Sequence, residues 1–161
     1  MSQGGHANST GGTLEKTVVG ALTSKGFQVI PFRKWHNSPE KYGEELLLTN
    51  APYRTIYNHP GHSEFLLVSK KYNMRVRIEC KWQQSAGSVD EKFPYLYLNA
   101  VEVMPEAEII IIVDGGGCKK GAIDWLRSAA ADKKYMETNN PKTIRVMSLA
   151  EFLIWVNTTF R

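Results

Sequence analysis

The chain has 161 residues, 42% of them hydrophobic and 22% charged, with a net charge of +4. That is one domain's worth of ordinary globular composition, which excludes a disordered chain. The longest apolar runs, such as residues 109–113, are too short to cross a bilayer, and two cysteines are too few for a disulfide framework or a four-cysteine zinc site.

Residues 1–12 are polar and glycine-rich, with no apolar leader core, so a flexible tail and a cytoplasmic protein are expected. Residues 13–25 follow a helical pattern, with Thr13 as N-cap and Gly26 as the stop. Residues 27–30 read as a short strand ended by Pro31, and residues 33–43 as a polar loop holding Trp35. Strands are expected over 44–49 and 53–57, followed by an Asn58-His59-Pro60-Gly61 turn. Residues 63–69 and 74–82 form a hairpin closed by residues 70–73. Its second strand alternates Met74, Val76, Ile78, Cys80 and Trp82 with Arg75, Arg77, Glu79 and Lys81, giving one apolar and one charged face.

Further on, Phe93, Leu96, Tyr97, Ala100, Val101 and Met104 keep helical spacing. Residues 109–113 are a fully apolar strand, buried on both faces. A glycine-rich loop over 114–121, a helix over 122–135, a strand over 143–147 and a helix over 149–160 complete the chain. The expected fold is α/β: a mixed central sheet with a hairpin, flanked by helices, forming one domain over residues 13–161.

Three placements break the local pattern. Glu15 falls inside the apolar arc of the first helix, where a carboxylate is expensive unless paired. Glu79 and Lys81 project to one side of their strand. A four-residue turn at 70–73 pairs Ser69 with Met74 and sets Glu64 opposite Glu79. A two-residue turn would set Glu64 opposite Lys81. Either way all three share a face. Two facing carboxylates repel, and a divalent cation between them would remove that penalty. The bland alternative is a solvated face on which Lys81 neutralises Glu79.

Glu64, then Glu79-Cys80-Lys81, with Glu15 on a preceding helix, resembles the PD-(D/E)XK nuclease superfamily. The resemblance runs over about residues 13–135. It departs in having Glu64 after Ser63 where the family usually has Asp, often after Pro. It implies a restriction-endonuclease-like fold and hydrolysis of DNA phosphodiester bonds. Glu64, Glu79 and the Cys80 carbonyl would ligate Mg²⁺, for which Mn²⁺ would substitute. Lys81 would orient or help deprotonate the attacking water. Glu15 would be an outer-shell ligand or hold a second metal, and Gln83 would bond the water or position Lys81. A homodimer would suit a small enzyme cutting both strands. The other reading is a nucleic-acid-binding module on the same fold with weak or lost cutting, against which the intact Glu64, Glu79 and Lys81 set argues.

The charge excess lies in residues 51–100, with seven Lys/Arg against four Asp/Glu, which suits a polyanionic partner. Expected nucleic-acid contacts are His62, Arg75, Arg77, Lys119, Lys120 and Trp35. A zinc site at His59, His62 and Glu64 lacks the helical spacing that would put both histidines on one face. The loop over 114–121 lacks the order of a nucleotide-triphosphate loop.

Overall fold

A computed structural model describes residues 3–161, with side chains from residue 12 onward. Six strands form one mixed sheet in sequential order: β1 (Gln28–Pro31), β2 (Glu45–Arg54), β3 (Pro60–Ser69), β4 (Met74–Trp82), β5 (Glu108–Asp114) and β6 (Thr143–Met147). The central strands β2, β3 and β4 are antiparallel, whereas β1 joins β2, β5 joins β4 and β6 joins β5 in parallel. No helix among the described residues is long and apolar enough to cross a membrane.

Helices cover both faces, as parallel strands require. On one face, α1 (Gln3–Thr23) and α5 (Leu149–Thr159) lay Leu14, Val18, Leu22, Phe152 and Val156 over Leu67, Val76, Ile78, Ile110 and Ile112. On the other, α3 (Phe93–Glu102) and α4 (Lys120–Ala131) bury Phe93, Tyr97, Ala100 and Leu126 against Ile109, Ile111 and Ile144. Helix α1 stops at Gly26, whose φ of +95° only glycine adopts readily, and the Phe27 N–H closes the end on the Leu22 carbonyl. Ser148 and Glu151 form a capping box at the start of α5.

Several boundaries differ from expectation. Helix α1 starts at Gln3, ten residues ahead of Thr13 and within the expected tail, of which residues 1–2 lie outside the described residues. The expected loop over 33–43 holds a short helix, α2 (Phe32–Asn37), and a 3₁₀ turn (Pro39–Lys41). Phe32, Trp35 and Tyr42 cover the sheet edge around Ile30, Leu46 and Leu48, so burial orders a segment whose polarity reads as loop. The two strands expected at 44–49 and 53–57 are one. Asn50 takes a φ of +53°, but the register continues from Thr49↔Phe65 to Ala51↔Ser63, and the strand runs on to Arg54. At the hairpin, Ser69 pairs with Met74 across a four-residue turn, and the pairing runs as far as Phe65↔Ile78, one step short of Glu64 and Glu79.

Candidate active site

The sheet forks. The β3–β4 ladder ends at Phe65↔Ile78. Beyond it, residues 60–63 of β3 pair only with β2, and residues 79–82 of β4 pair only with β5. Glu64 and Glu79 stand where the strands part. Their carboxylates converge on one ammonium: Lys81 Nζ lies 3.2 Å from Glu79 Oε2 and 3.9 Å from Glu64 Oε1. The Cys80 N–H donates to Glu64 Oε2 at 2.8 Å.

Glu79 is only 2% exposed. Burial raises its pKa, the Lys81 ammonium opposes that rise, and the Glu64 carboxylate adds to it. Burial works against the Lys81 charge, yet Glu79 and Glu64 outweigh it and push the lysine pKa up.

A second layer holds Glu79. The Ser63 hydroxyl donates to Glu79 Oε1 at 2.6 Å and accepts from Arg77 Nη1 at 3.0 Å. Arg77 also donates to the Ala51 and Pro52 carbonyls and grips Glu106 through two nitrogens, at 2.5 and 3.1 Å. Both members of that pair are 2% exposed. Arg77 is thus not on the surface, and the expectation that it meets nucleic acid is corrected. The charged face of β4 lies under the α3 side of the molecule, so its charges must be paired.

The Gln83 side chain accepts from the Asp90 N–H and donates to the Gly117 carbonyl, tying the end of β4 to two loops. The glycine-rich segment completes this junction. A Cβ on Gly117 would come within 2.5 Å of the Ser85 nitrogen, and one on Gly115 within 2.4 Å of the Gln83 carbonyl oxygen. Those glycines permit two backbones to touch.

Glu15 is half-buried and lines a cavity of about 570 Å³ together with Lys16, Asn50, His62 and Glu64. Burial raises the Cys80 thiol pKa well above its ordinary value, and the negative charges of Glu64, Glu15 and Glu79 raise it further. His62 is exposed and also lines a second cavity beside Glu79 and Lys81. Lys119 and Lys120, both exposed, start α4 at the end of the sheet that carries the fork. Arg75 is exposed at the opposite end of β4, and Trp35 packs on the β1–β2 edge, so neither adjoins the carboxylates. Sequence reasoning missed Tyr53, which lines the cavity beside Glu79. Burial, then the Glu79 carboxylate, raises its phenol pKa to about 12.

The donor set suits a hard cation. Each carboxylate carries an oxygen facing Lys81, and a buried carboxylate beside another calls for positive charge. Among the described residues no group of three or more His, Cys, Asp and Glu side chains is arranged around one point. Two carboxylates suit a divalent cation that keeps water and phosphate oxygens as its remaining ligands.

A model of the PD-(D/E)XK nuclease superfamily domain matches residues 6–160. The chain belongs to that superfamily. The α/β sheet with its central antiparallel strands and flanking helices agrees with the superfamily fold. Membership implies nuclease activity on a nucleic-acid substrate, in a group of enzymes that generally use divalent metals. Searches of the curated proteins and of the solved structures returned no match.

Proposed function

We propose that this chain is a Mg²⁺-dependent endonuclease that hydrolyses DNA phosphodiester bonds at the β3–β4 fork. The observation that carries the reading is the convergence of the Glu64 and Glu79 carboxylates on Lys81 Nζ. Glu64, Glu79 and the Cys80 carbonyl would hold the cation. When bound, it supplies Lewis acidity to a phosphoryl oxygen and acidifies water.

The chain's own groups do the rest. Lys81 donates to the attacking water and to the phosphate oxygens, on which negative charge builds as the water oxygen bonds to phosphorus and one P–O ester bond breaks. Ser63 and Arg77 are positioning residues: they fix the Glu79 carboxylate from behind. Glu15 faces the same opening from α1 as an outer-shell group. His62, Lys119 and Lys120 supply contacts to the phosphate backbone, which position the strand without reading its sequence.

The test is cleavage of labelled DNA, with RNA as a parallel arm, in Mg²⁺, Mn²⁺, Ca²⁺ and EDTA. Cutting of DNA in Mg²⁺ and Mn²⁺ is expected, with none in EDTA. Ca²⁺ should support binding with little cutting, because it accepts looser coordination. Undiminished cleavage in EDTA would overturn the metal reading, and cleavage of RNA alone would overturn the substrate.

A further inference from the structure

Beside the carboxylates lies a cavity of about 310 Å³ that extends from the fork toward α3. Its apolar floor is Phe93 and Leu96 of α3, both buried. Tyr53 and Tyr95 form its aromatic walls, and Glu79 and Lys81 line it as well. The Tyr95 ring continues outward as a stack, with Tyr57 at 5.0 Å between centroids and an interplanar angle of 26°. Tyr57 is 65% exposed. Among the described residues no group hydrogen-bonds to the Tyr53 hydroxyl. Lys92 also lines the cavity.

An apolar floor, flat aromatic walls, a free phenol and a cation together fit a planar, polar-edged ring attached to a phosphate. We propose that this cavity receives one unpaired nucleobase of the bound strand, stacked on Tyr95, which Tyr57 backs from outside the cavity, with the Tyr53 hydroxyl bonding its edge. The proposal rests on the reading of the fork as a phosphodiester site, because that puts a phosphate at Lys81 and a neighbouring base within reach of the cavity. A base held inside a duplex stack cannot enter; an unpaired or extruded one can. The substrate class is therefore a strand with unstacked nucleotides: single-stranded, branched or locally opened.

The experiment is equilibrium binding in Ca²⁺ at fixed salt, comparing a fluorescent thymidine decamer with an abasic decamer. Both carry the same phosphates, so their electrostatic attraction is alike and the difference reports the bases. The wild-type protein should hold the thymidine strand roughly tenfold or more tightly, the scale of a base–aromatic stack. Tyr95→Ala should lose most of that preference while binding the abasic strand like wild type, and Tyr57→Ala, behind that ring, should lose less. Tyr53→Phe, a milder change, should lose part of it. Equal affinity of the wild type for both strands would overturn the proposal, as would a full preference retained by Tyr95→Ala. Cutting in Mg²⁺ is scored separately. A protein that shows the preference but never cuts keeps the base site and loses the nuclease reading; one that cuts without the preference does the reverse.

Discussion

The Cys80 N–H donates to the Glu64 carboxylate at the point where the β3–β4 ladder has just ended. A side chain thus accepts a main-chain donor of the parting strand, and the fork opens without orphaning that N–H. The same bond fixes one oxygen of Glu64 and leaves the other beside Lys81. Sheet geometry and site geometry are therefore one arrangement: closing the fork would bury two facing carboxylates, and opening it gives them room for a cation.

Glu79 should destabilise the metal-free protein. Its pKa is raised in the fold, first by burial, above the ordinary 4.5. The associated stability is present below that ordinary value and is lost as pH rises through the raised one. Glu79→Gln in EDTA should therefore melt higher than wild type at pH 7, with the gap closing below pH 4.5. Adding Mg²⁺ should raise the wild-type melting temperature more than the variant's. A variant that melts lower than wild type at pH 7 in EDTA would show that the carboxylate is a structural ion-pair partner.

Arg77 and Glu106 form a buried pair that supports the site from behind. Arg77→Met should cost about 3–5 kcal/mol, because it leaves the Glu106 carboxylate buried without its partner. Arg77→Met combined with Glu106→Gln should recover part of that loss. Urea unfolding measures both, and a loss below about 1 kcal/mol for the single variant would contradict the burial argument.

The atoms nearest an added Cβ on Gly117 are backbone atoms of residues 83–85, so Gly117→Ala should destabilise by about 1–3 kcal/mol, the range for overpacking. Gly121→Ala is the control. It lies in α4 with nothing within 4 Å of an added Cβ, and alanine there should stabilise by about 0.5–1 kcal/mol. Equal effects at the two positions, read from thermal melts, would contradict the close approach.

The hairpin was legible because its turn is local: four residues between two strong strand patterns fix the register, which brings Glu64 and Glu79 to the end of the ladder. Side-chain parity then puts Lys81 on the same side. Arg77 was not legible in the same way. Alternation shows that Arg77 shares a side with Glu79, but only the packing of α3 shows that this side is covered. A usable signal was present: a sheet with parallel strands is covered on both faces, so a charge there needs a buried partner. The tie between Gln83 and Gly117 joins residues 34 apart and leaves no local trace. Trp35 misled because a polar segment was read as solvent-exposed, whereas a few aromatic rings suffice to dock it on a sheet edge. Tyr53 reaches the site through a strand that the sequence reading had split in two.

The central claim is that Lys81 acts on the reacting water and phosphate beside two metal-holding carboxylates. The direct measurement is the DNA cleavage rate of Lys81→Ala in Mg²⁺, with DNA affinity measured in Ca²⁺ on the same preparation. A group that acts in the transition state raises the rate without tightening ground-state binding. The account expects a rate loss of about 10²–10³, the scale for removing a stabilising donor, with affinity nearly unchanged. Wild-type cleavage by Lys81→Ala would reduce the lysine to a structural partner of Glu79 and contradict the account.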